Sequence, residues 1–433
     1  MITRIEANRY RCFSGLSVDL DRYHVIVGAN GSGKSTLLDI PVLLGDLVRL
    51  RRVSQAFLEA QRPERAQRAG TLLELLHRQE GDTFSFAVEA KLPPDHIDAL
   101  AGTSMARLGT PVPTHLRYEV RLDVTRRTLK VADESMFLFN DQGERPPAGF
   151  VLRTALEEAS EKDVLESKGW QLVIARERNG PIRFIPETTT QETAIPPLNT
   201  SSDRLSLDNV PADAGLFPGA LWFAQFLREE VVSLSPNWDA LRRLAPPGGP
   251  ERLEPSGQNI PWLALALQED DPDRFAAWVD HLRVALPQVA AVRAVEREAD
   301  QHAYFEVEYA SGHRVTSTGL SEGTLRLMTL TLLPFLDEAG LPKLLVSEEP
   351  ENGVHPRAIE TVTQSLSSIN GSQVWVSTHS PIVMANTRLE EVLAARLKDD
   401  GSAEVVPGVK HPRLRDWHGS LDIGTLFAAG VLS

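Results

Sequence analysis

Three observations predict an α/β fold. A short apolar strand, a glycine-rich turn and an apolar helix follow one another over residues 23–44. Apolar and polar residues alternate over Thr83–Leu92 and His115–Val131, the period of half-buried strands. Residues 320–433 then return to short buried strands, each followed by a helical stretch.

Taken in order, Ile2–Asn8 and Leu16–Leu20 alternate and predict two strands ahead of the buried strand Tyr23–Val27. The stretch Gly28-Ala29-Asn30-Gly31-Ser32-Gly33-Lys34-Ser35-Thr36 fits the pattern G-x-x-x-x-G-K-[ST]. Glycines let backbone N–H groups curl around phosphates, a lysine reaches the β- and γ-phosphates, and the following hydroxyl ligates Mg²⁺. The apolar run Ser35–Leu44 predicts a helix whose N-terminus faces the anion. This segment predicts binding of ATP or GTP. Leu50–Gln79 reads as an arginine-rich helical region broken at Pro63. The alternating stretches after it predict an antiparallel sheet beside the nucleotide strand, with Arg126-Arg127 at a hairpin turn.

Over residues 132–260 the pattern loosens. Helical pieces at Arg153–Ser167 and Leu216–Val232 flank a strand pair around Trp170–Ile185. A threonine-rich loop spans Glu187–Ser206, and Pro246-Pro247-Gly248-Gly249-Pro250 is a linker or loop. Asp271 is placed as the N-cap of a helix to Leu286, with Pro272 at its first position. Strands follow near Val292–Arg297 and Tyr304–Tyr309. The expected division is 1–131, an N-terminal lobe with the glycine turn and antiparallel sheet; 132–286, an inserted mostly helical region; and 287–433, a C-terminal α/β lobe.

A chain of 433 residues is long enough for two or three lobes with their own cores. With 45 Lys and Arg against 59 Asp and Glu the net charge is −14, which argues against tight non-specific binding to nucleic acid. The one cysteine, Cys12, excludes an internal disulfide and a cysteine-based zinc site. The N-terminus lacks a signal peptide's apolar core, and no run of 18 apolar residues occurs, so a cytoplasmic protein off the membrane is expected.

Three further segments carry chemistry. Leu320-Ser321-Glu322-Gly323-Thr324 opens an apolar helix with Ser321 as N-cap, which makes a second helix terminus suited to an anion. Lys343–Ser347 is a buried strand ending in Glu348-Glu349-Pro350-Glu351, where nucleotide hydrolases place an acidic Mg²⁺ partner and where a second acid can polarise water. Gln373–Ser377 is another buried strand, ending at Thr378-His379-Ser380-Pro381, at the end of a parallel sheet where ligands bind.

This order of motifs resembles the ATP-binding-cassette ATPase heads, and more closely those of the SMC, RecF and OLD group. Asn8-Arg9-Tyr10-Arg11-Cys12-Phe13 is similar to the N-F-R-x-F start of those heads. Glu348-Glu349-Pro350-Glu351-Asn352-Gly353-Val354-His355-Pro356 resembles the D-E-P-E-N-x-L-H-P segment of stand-alone prokaryotic ATPases in that group. Residues 1–45 and 255–433 carry the likeness, with Gly257-Gln258-Asn259-Ile260 and Leu421–Leu432 adding to it.

The resemblance implies an ABC-type head binding ATP and Mg²⁺, with a β lobe and a helical insertion. Asn30, Gly31, Ser32, Gly33, Lys34, Ser35 and Thr36 would cradle the phosphates, with Arg11 near the nucleotide. Ser35 and Glu348 would lie at the Mg²⁺. Ser321, Glu322 and Gly323 would form the signature that reaches the γ-phosphate held by a second subunit. Glu349 would be the catalytic carboxylate and His379 the switch histidine. ATP would thereby join two heads, and hydrolysis would release them. Two residues depart from the pattern: Glu348 stands for the usual Asp and Ser347 for an aliphatic residue, which implies Mg²⁺ contact through water and slow hydrolysis. Gln55, Gln61 and Gln79 are all candidates for the glutamine loop.

Long heptads and a Cys-x-x-Cys hook are missing, which sets the chain apart from chromosome-spanning members. The 54 residues after His379 are too few for a fused Toprim nuclease. The resemblance therefore implies a stand-alone ATPase acting with a separately encoded effector, often a nuclease, in prokaryotic anti-phage systems. A RecF-type DNA-repair ATPase remains an alternative, resting on the basic stretch Arg49, Arg51, Arg52, Arg62, Arg65 and Arg68. A nucleotide-locked scaffold with little turnover is the other.

Overall fold

The computed structural model describes residues 1–61, 66–101, 111–125, 127–143, 145–149, 169–189, 195–414 and 423–428. The chain opens with a hairpin, β1 (Ile2–Tyr10) and β2 (Phe13–Asp19), followed by β3 (Tyr23–Val27), the glycine turn and helix α1 (Lys34–Arg49). β4 (Thr83–Lys91), β5 (His115–Val124), β6 (Leu129–Phe139), β7 (Gln171–Arg176) and β8 (Ile182–Phe184) return to that hairpin. Together they form an antiparallel sheet of seven strands in the order β2-β1-β4-β5-β6-β7-β8. The expected boundary at 131/132 falls inside β6. Residues 132–286 divide between layers: β6 to β8 complete the N-terminal sheet, β9 (Val231–Leu234) joins the nucleotide sheet, and three long helices cover it. Those helices are Pro218–Glu229, Ile260–Asp270 and Pro272–Ala285. The expected helix over Arg153–Ser167, the break at Pro63, Arg126 of the expected turn and, of Leu421–Leu432, all but 423–428 lie outside the described residues.

β10 (Val289–Arg297), β11 (His302–Tyr309) and β12 (Arg314–Thr316) form a small antiparallel sheet. β13 (Leu344–Glu348), β14 (Gln373–Ser377), β15 (Val392–Leu397) and β16 (Ala403–Pro407) then complete the nucleotide sheet, ordered β16-β15-β3-β14-β13-β9. All its neighbours are parallel except β16 with β15.

The parallel strands are mostly apolar on both sides because both faces of this sheet are covered. Ile26, Leu344, Val346, Trp375, Leu393 and Ala395 point into one core with α1 and the antiparallel sheet. Val25, Val27, Leu345, Val374, Val376, Val392 and Ala394 point into the other, with the helices Ile260–Asp270, Pro272–Ala285, Glu322–Leu332 and Pro356–Ser368. The helix starts follow the capping chemistry read from the sequence: Asp271 accepts from the Arg274 amide and Ser321 from the Thr324 amide. Among the described residues no helix is long and apolar enough to cross a membrane.

Leu50–Gln79 is a correction. Its described part holds one short helix, Gln55–Leu58, and two 3₁₀ turns, Leu72–Leu75 and His77–Gln79. Tertiary pairing outweighs helix propensity there. Arg68 is nearly buried and bonds Asp39 at 2.7 and 2.9 Å, Asp46 at 2.8 Å and the Ala56 carbonyl at 2.6 Å. It thus pins the loop to α1, and its charge is neutralised internally. Arg49 is paired with Asp46, and Arg52 lies 3.7 Å from Asp203. We expect Arg68→Met to destabilise the fold by about 3–5 kcal/mol, since it removes the cation paired with buried Asp39 and leaves Asp46 with Arg49 alone. Urea unfolding measures this, and a loss under about 1 kcal/mol would show that the aspartates hydrate instead.

Candidate active site

The site forms where β3, β13 and β14 end together. The register sets Glu348 of β13 opposite Ser377 of β14, and Ser377 opposite Ile26 of β3, so three loops leave the sheet at one edge. The loop after β3 turns back through Gly28 (φ 145°), Gly31 (φ 78°) and Gly33 (φ 98°) into α1. Two of these glycines have no room for a side chain. A Cβ at 28 would lie 1.9 Å from the Ala395 carbonyl oxygen, and one at 33 would meet the Phe13 ring at 2.9 Å and the Cys12 sulfur at 3.0 Å. The β1–β2 turn is therefore seated on the glycine loop. Its Arg11, at φ 50°, is braced by the 3₁₀ turns: Arg11 N donates to Leu75 O at 2.9 Å, and the His77 ring lies 2.9 Å from Arg11 O.

Arg11, Asn30, Gly31, Gly33, Lys34, Ser35, Thr36, Glu349 and His379 line one cavity of about 340 Å³, together with Cys12 and Ser377. Nine of the residues singled out in the sequence thus meet at one place. Ser32 is buried beside Gly28, with its hydroxyl unpartnered in the protein. Lys34 Nζ donates to Gly28 O at 2.8 Å and Ala29 O at 2.9 Å, so the ammonium is held over the loop. Burial lowers its pKa, opposed by the negative charges of Glu349 and Glu348.

The Ser35 hydroxyl donates to Glu348 Oε2. The extra methylene of Glu348 therefore still leaves its carboxylate within reach of the Ser35 hydroxyl. A hydroxyl and one carboxylate form a hard-oxygen pair suited to Mg²⁺, which keeps waters and takes phosphate oxygens for the remainder. No cluster of three or more His, Cys, Asp or Glu able to hold a metal occurs among the described residues.

Glu349 follows at φ 46°, a conformation rare for a residue with a side chain. Its amide donates to Ser377 O at 3.0 Å. Its carboxylate accepts from Asn352 Nδ2 at 2.6 Å and lies 3.5 Å from His379 Nε2, both side chains being about one-third exposed. Such a carboxylate can polarise a water, and the imidazole beside it can sense or donate to a phosphate oxygen.

Ser321, Glu322 and Gly323 sit apart from this cavity. Ser321 Oγ bonds the Thr324 amide at 3.1 Å, Glu322 pairs with Arg326 at 2.6 Å, and Arg326 stacks on Trp238 at 4.3 Å. The Glu322–Leu332 helix starts against the turn after Glu349: a side chain at 323 would come within 3.1 Å of Gly353 O. The residues missed by sequence reasoning are Cys12, Ser377 and Asn352. Ser377 is buried with an unpartnered hydroxyl. A polar residue ending an otherwise apolar parallel strand was the signal available for it.

Residues 24–385 match the family described as "AAA domain, putative AbiEii toxin, Type IV TA system". The chain belongs to that AAA family. The match bears out the ATPase likeness read from the motifs, and nucleotide binding follows from the family and its phosphate loop. The family's match runs from β3 through the P-loop, the paired glutamates and His379. Solved structures similar to this AAA chain include three SMC heads. One is the SmcHead bound to the C-winged helix domain of ScpA, at 13% identity and TM-score 0.49, covering 94% of this chain and 97% of that one. Another is the Smc head domain with an extended coiled coil bound to the C-terminal domain of ScpA from Pyrococcus furiosus, at 12% identity and TM-score 0.45, covering 94% and 95%. The third is the SMC head domain from Thermotoga maritima, at 12% identity and TM-score 0.42, covering 94% and 98%. No curated protein sequence matches the chain.

Proposed function

We propose that the protein binds and hydrolyses Mg²⁺-ATP, dimerises head to head around the nucleotide, and so controls a separately encoded effector, a nuclease or toxin, in prokaryotic anti-phage defence. The observation that carries this reading is the convergence of Lys34, the Ser35–Glu348 pair and the Glu349–His379 pair around one cavity. Lys34 neutralises charge on the β- and γ-phosphates, Ser35 and Glu348 hold the Mg²⁺, and Glu349 polarises the attacking water. His379 contacts the γ-phosphate. Bound Mg²⁺ supplies charge neutralisation on the phosphate oxygens.

Ser321, Glu322 and Gly323 lie outside the cavity of their own chain, which supports a role on a partner head's nucleotide. The family description names a toxin of a type IV toxin–antitoxin system. That supports an effector system over a repair one. The internal neutralisation of Arg68 and Arg49 also argues against a DNA groove built from the basic stretch.

Size-exclusion light scattering of the Glu349→Gln protein, with and without Mg²⁺-ATP, tests the dimer. A shift from monomer to dimer only with ATP supports it, and a fixed mass in both conditions overturns it. Ser321→Arg should block hydrolysis while leaving ATP affinity unchanged, because the residue does not line the cavity of its own chain. Its lost helix cap costs about 1 kcal/mol, which circular dichroism melting will register without loss of fold. Weakened ATP binding by this variant would exclude a role across the dimer.

A further inference from the structure

Glu351 is a carboxylate buried to 6% exposure, two residues beyond Glu349. Its Oε1 accepts the Thr378 hydroxyl, while its Oε2 has no partner in the protein. A buried, half-satisfied carboxylate is an expensive way to fill space. Burial and the charge of Glu349 raise its pKa, whereas the Thr378 hydroxyl and the His379 backbone N–H favour its ionised form.

The bond from Glu351 lands on a residue that is itself held. Thr378 is fully buried, its amide donates to Ile26 O at 3.1 Å on the nucleotide strand, and its Oγ1 accepts from the Ser380 amide at 2.9 Å. Ser380 Oγ in turn caps the next short helix, taking the Ile382 and Val383 amides. His379 is therefore clasped between two tied residues. On the facing loop, Glu349 N is bonded to Ser377 O, and the turn is closed by Asn352 N to Glu349 O at 3.0 Å and Val354 N to Glu351 O at 2.9 Å. The carboxylate loop and the histidine loop are thus joined at two points, Glu349–Ser377 and Glu351–Thr378. The Glu349–His379 approach of 3.5 Å spans the same two loops.

We propose that Glu351 is a positioning residue that, through Thr378, holds the His379 imidazole against Glu349 at the phosphate cavity. This rests on the hydrolysis reading above for its effect on turnover, but not for its effect on the histidine.

The test uses the full chain and three variants. Glu351→Gln keeps an oxygen acceptor for Thr378, Glu351→Leu removes it, and Thr378→Val removes the donor, together with the acceptor for the Ser380 amide, with little change of shape. Glu351→Leu and Thr378→Val should each lower kcat for ATP by about tenfold or more, with the ATP Kd within about twofold of wild type. Glu351→Gln should stay near wild type. The double variant should be no worse than Thr378→Val alone, since that change already removes the shared bond as well as the acceptor for the Ser380 amide.

The histidine ¹³Cε1 resonance of His379, assigned with His379→Ala, should move in the Leu and Val variants but not in Gln, with no nucleotide added. An unmoved resonance in Thr378→Val overturns the proposal, whatever happens to kcat and even if Glu351→Leu fails to fold. So does a Gln variant as displaced as Leu. A wild-type protein that binds ATP without turnover would defeat the hydrolysis reading, while the resonance would still decide this one.

Discussion

Glu349→Gln is expected to lower ATP hydrolysis by about 10²- to 10⁴-fold, the usual contribution of a positioned general base. ATP binding should persist. The side chain lines the cavity, 3.5 Å from His379 and bonded to Asn352 at 2.6 Å, and it is not part of the glycine loop. An amide retains the shape and the Asn352 contact, yet cannot accept a proton from water. Steady-state phosphate release and equilibrium nucleotide binding measure the two halves of this expectation. Hydrolysis at the wild-type rate would remove Glu349 from the catalytic role and leave the neighbouring acid Glu348 as the residue to examine.

Lys34→Ala is expected to abolish ATP binding at ordinary nucleotide concentrations. Nζ is held within 2.8–2.9 Å of the two loop carbonyls Gly28 O and Ala29 O, poised at the mouth of the glycine turn. Each charge-assisted hydrogen bond contributes about 1.5–3 kcal/mol. Loss of two phosphate contacts therefore raises Kd by about 10²-fold or more. The ammonium also sits beside Glu348 and Glu349, whose negative charge faces the phosphates once the lysine is gone. Titration calorimetry with a slowly hydrolysed ATP analogue decides the matter. Unchanged affinity would mean that the loop binds phosphate by its backbone alone.

Some elements were legible because their physics is local. β3 and β14 match the apolar runs Tyr23–Val27 and Gln373–Ser377 residue for residue, and Asp271 and Ser321 cap the helices they precede in sequence. The strand pair near 170–185 was also readable, but its destination was not. Alternation places a strand on a half-buried face without saying which sheet it joins, and β7 and β8 joined the N-terminal sheet. Leu50–Gln79 misled for a related reason. Its arginines read as part of a helical region, whereas Arg68 finds two aspartates on α1, at positions 39 and 46.

The sequence by itself determined the nucleotide chemistry: a glycine loop with its lysine and serine, two glutamates ending one strand, and a histidine leaving another. These depend on residue type and short spacing, so they survive without coordinates. Only the tertiary structure decided that Ser35 meets Glu348 across 313 positions of chain, that Glu349 faces His379, and that Glu351 is buried against Thr378. Such contacts depend on the order β3-β14-β13 and on its parallel register. Strand order arises from packing two apolar faces at once, and no local pattern in the chain encodes it.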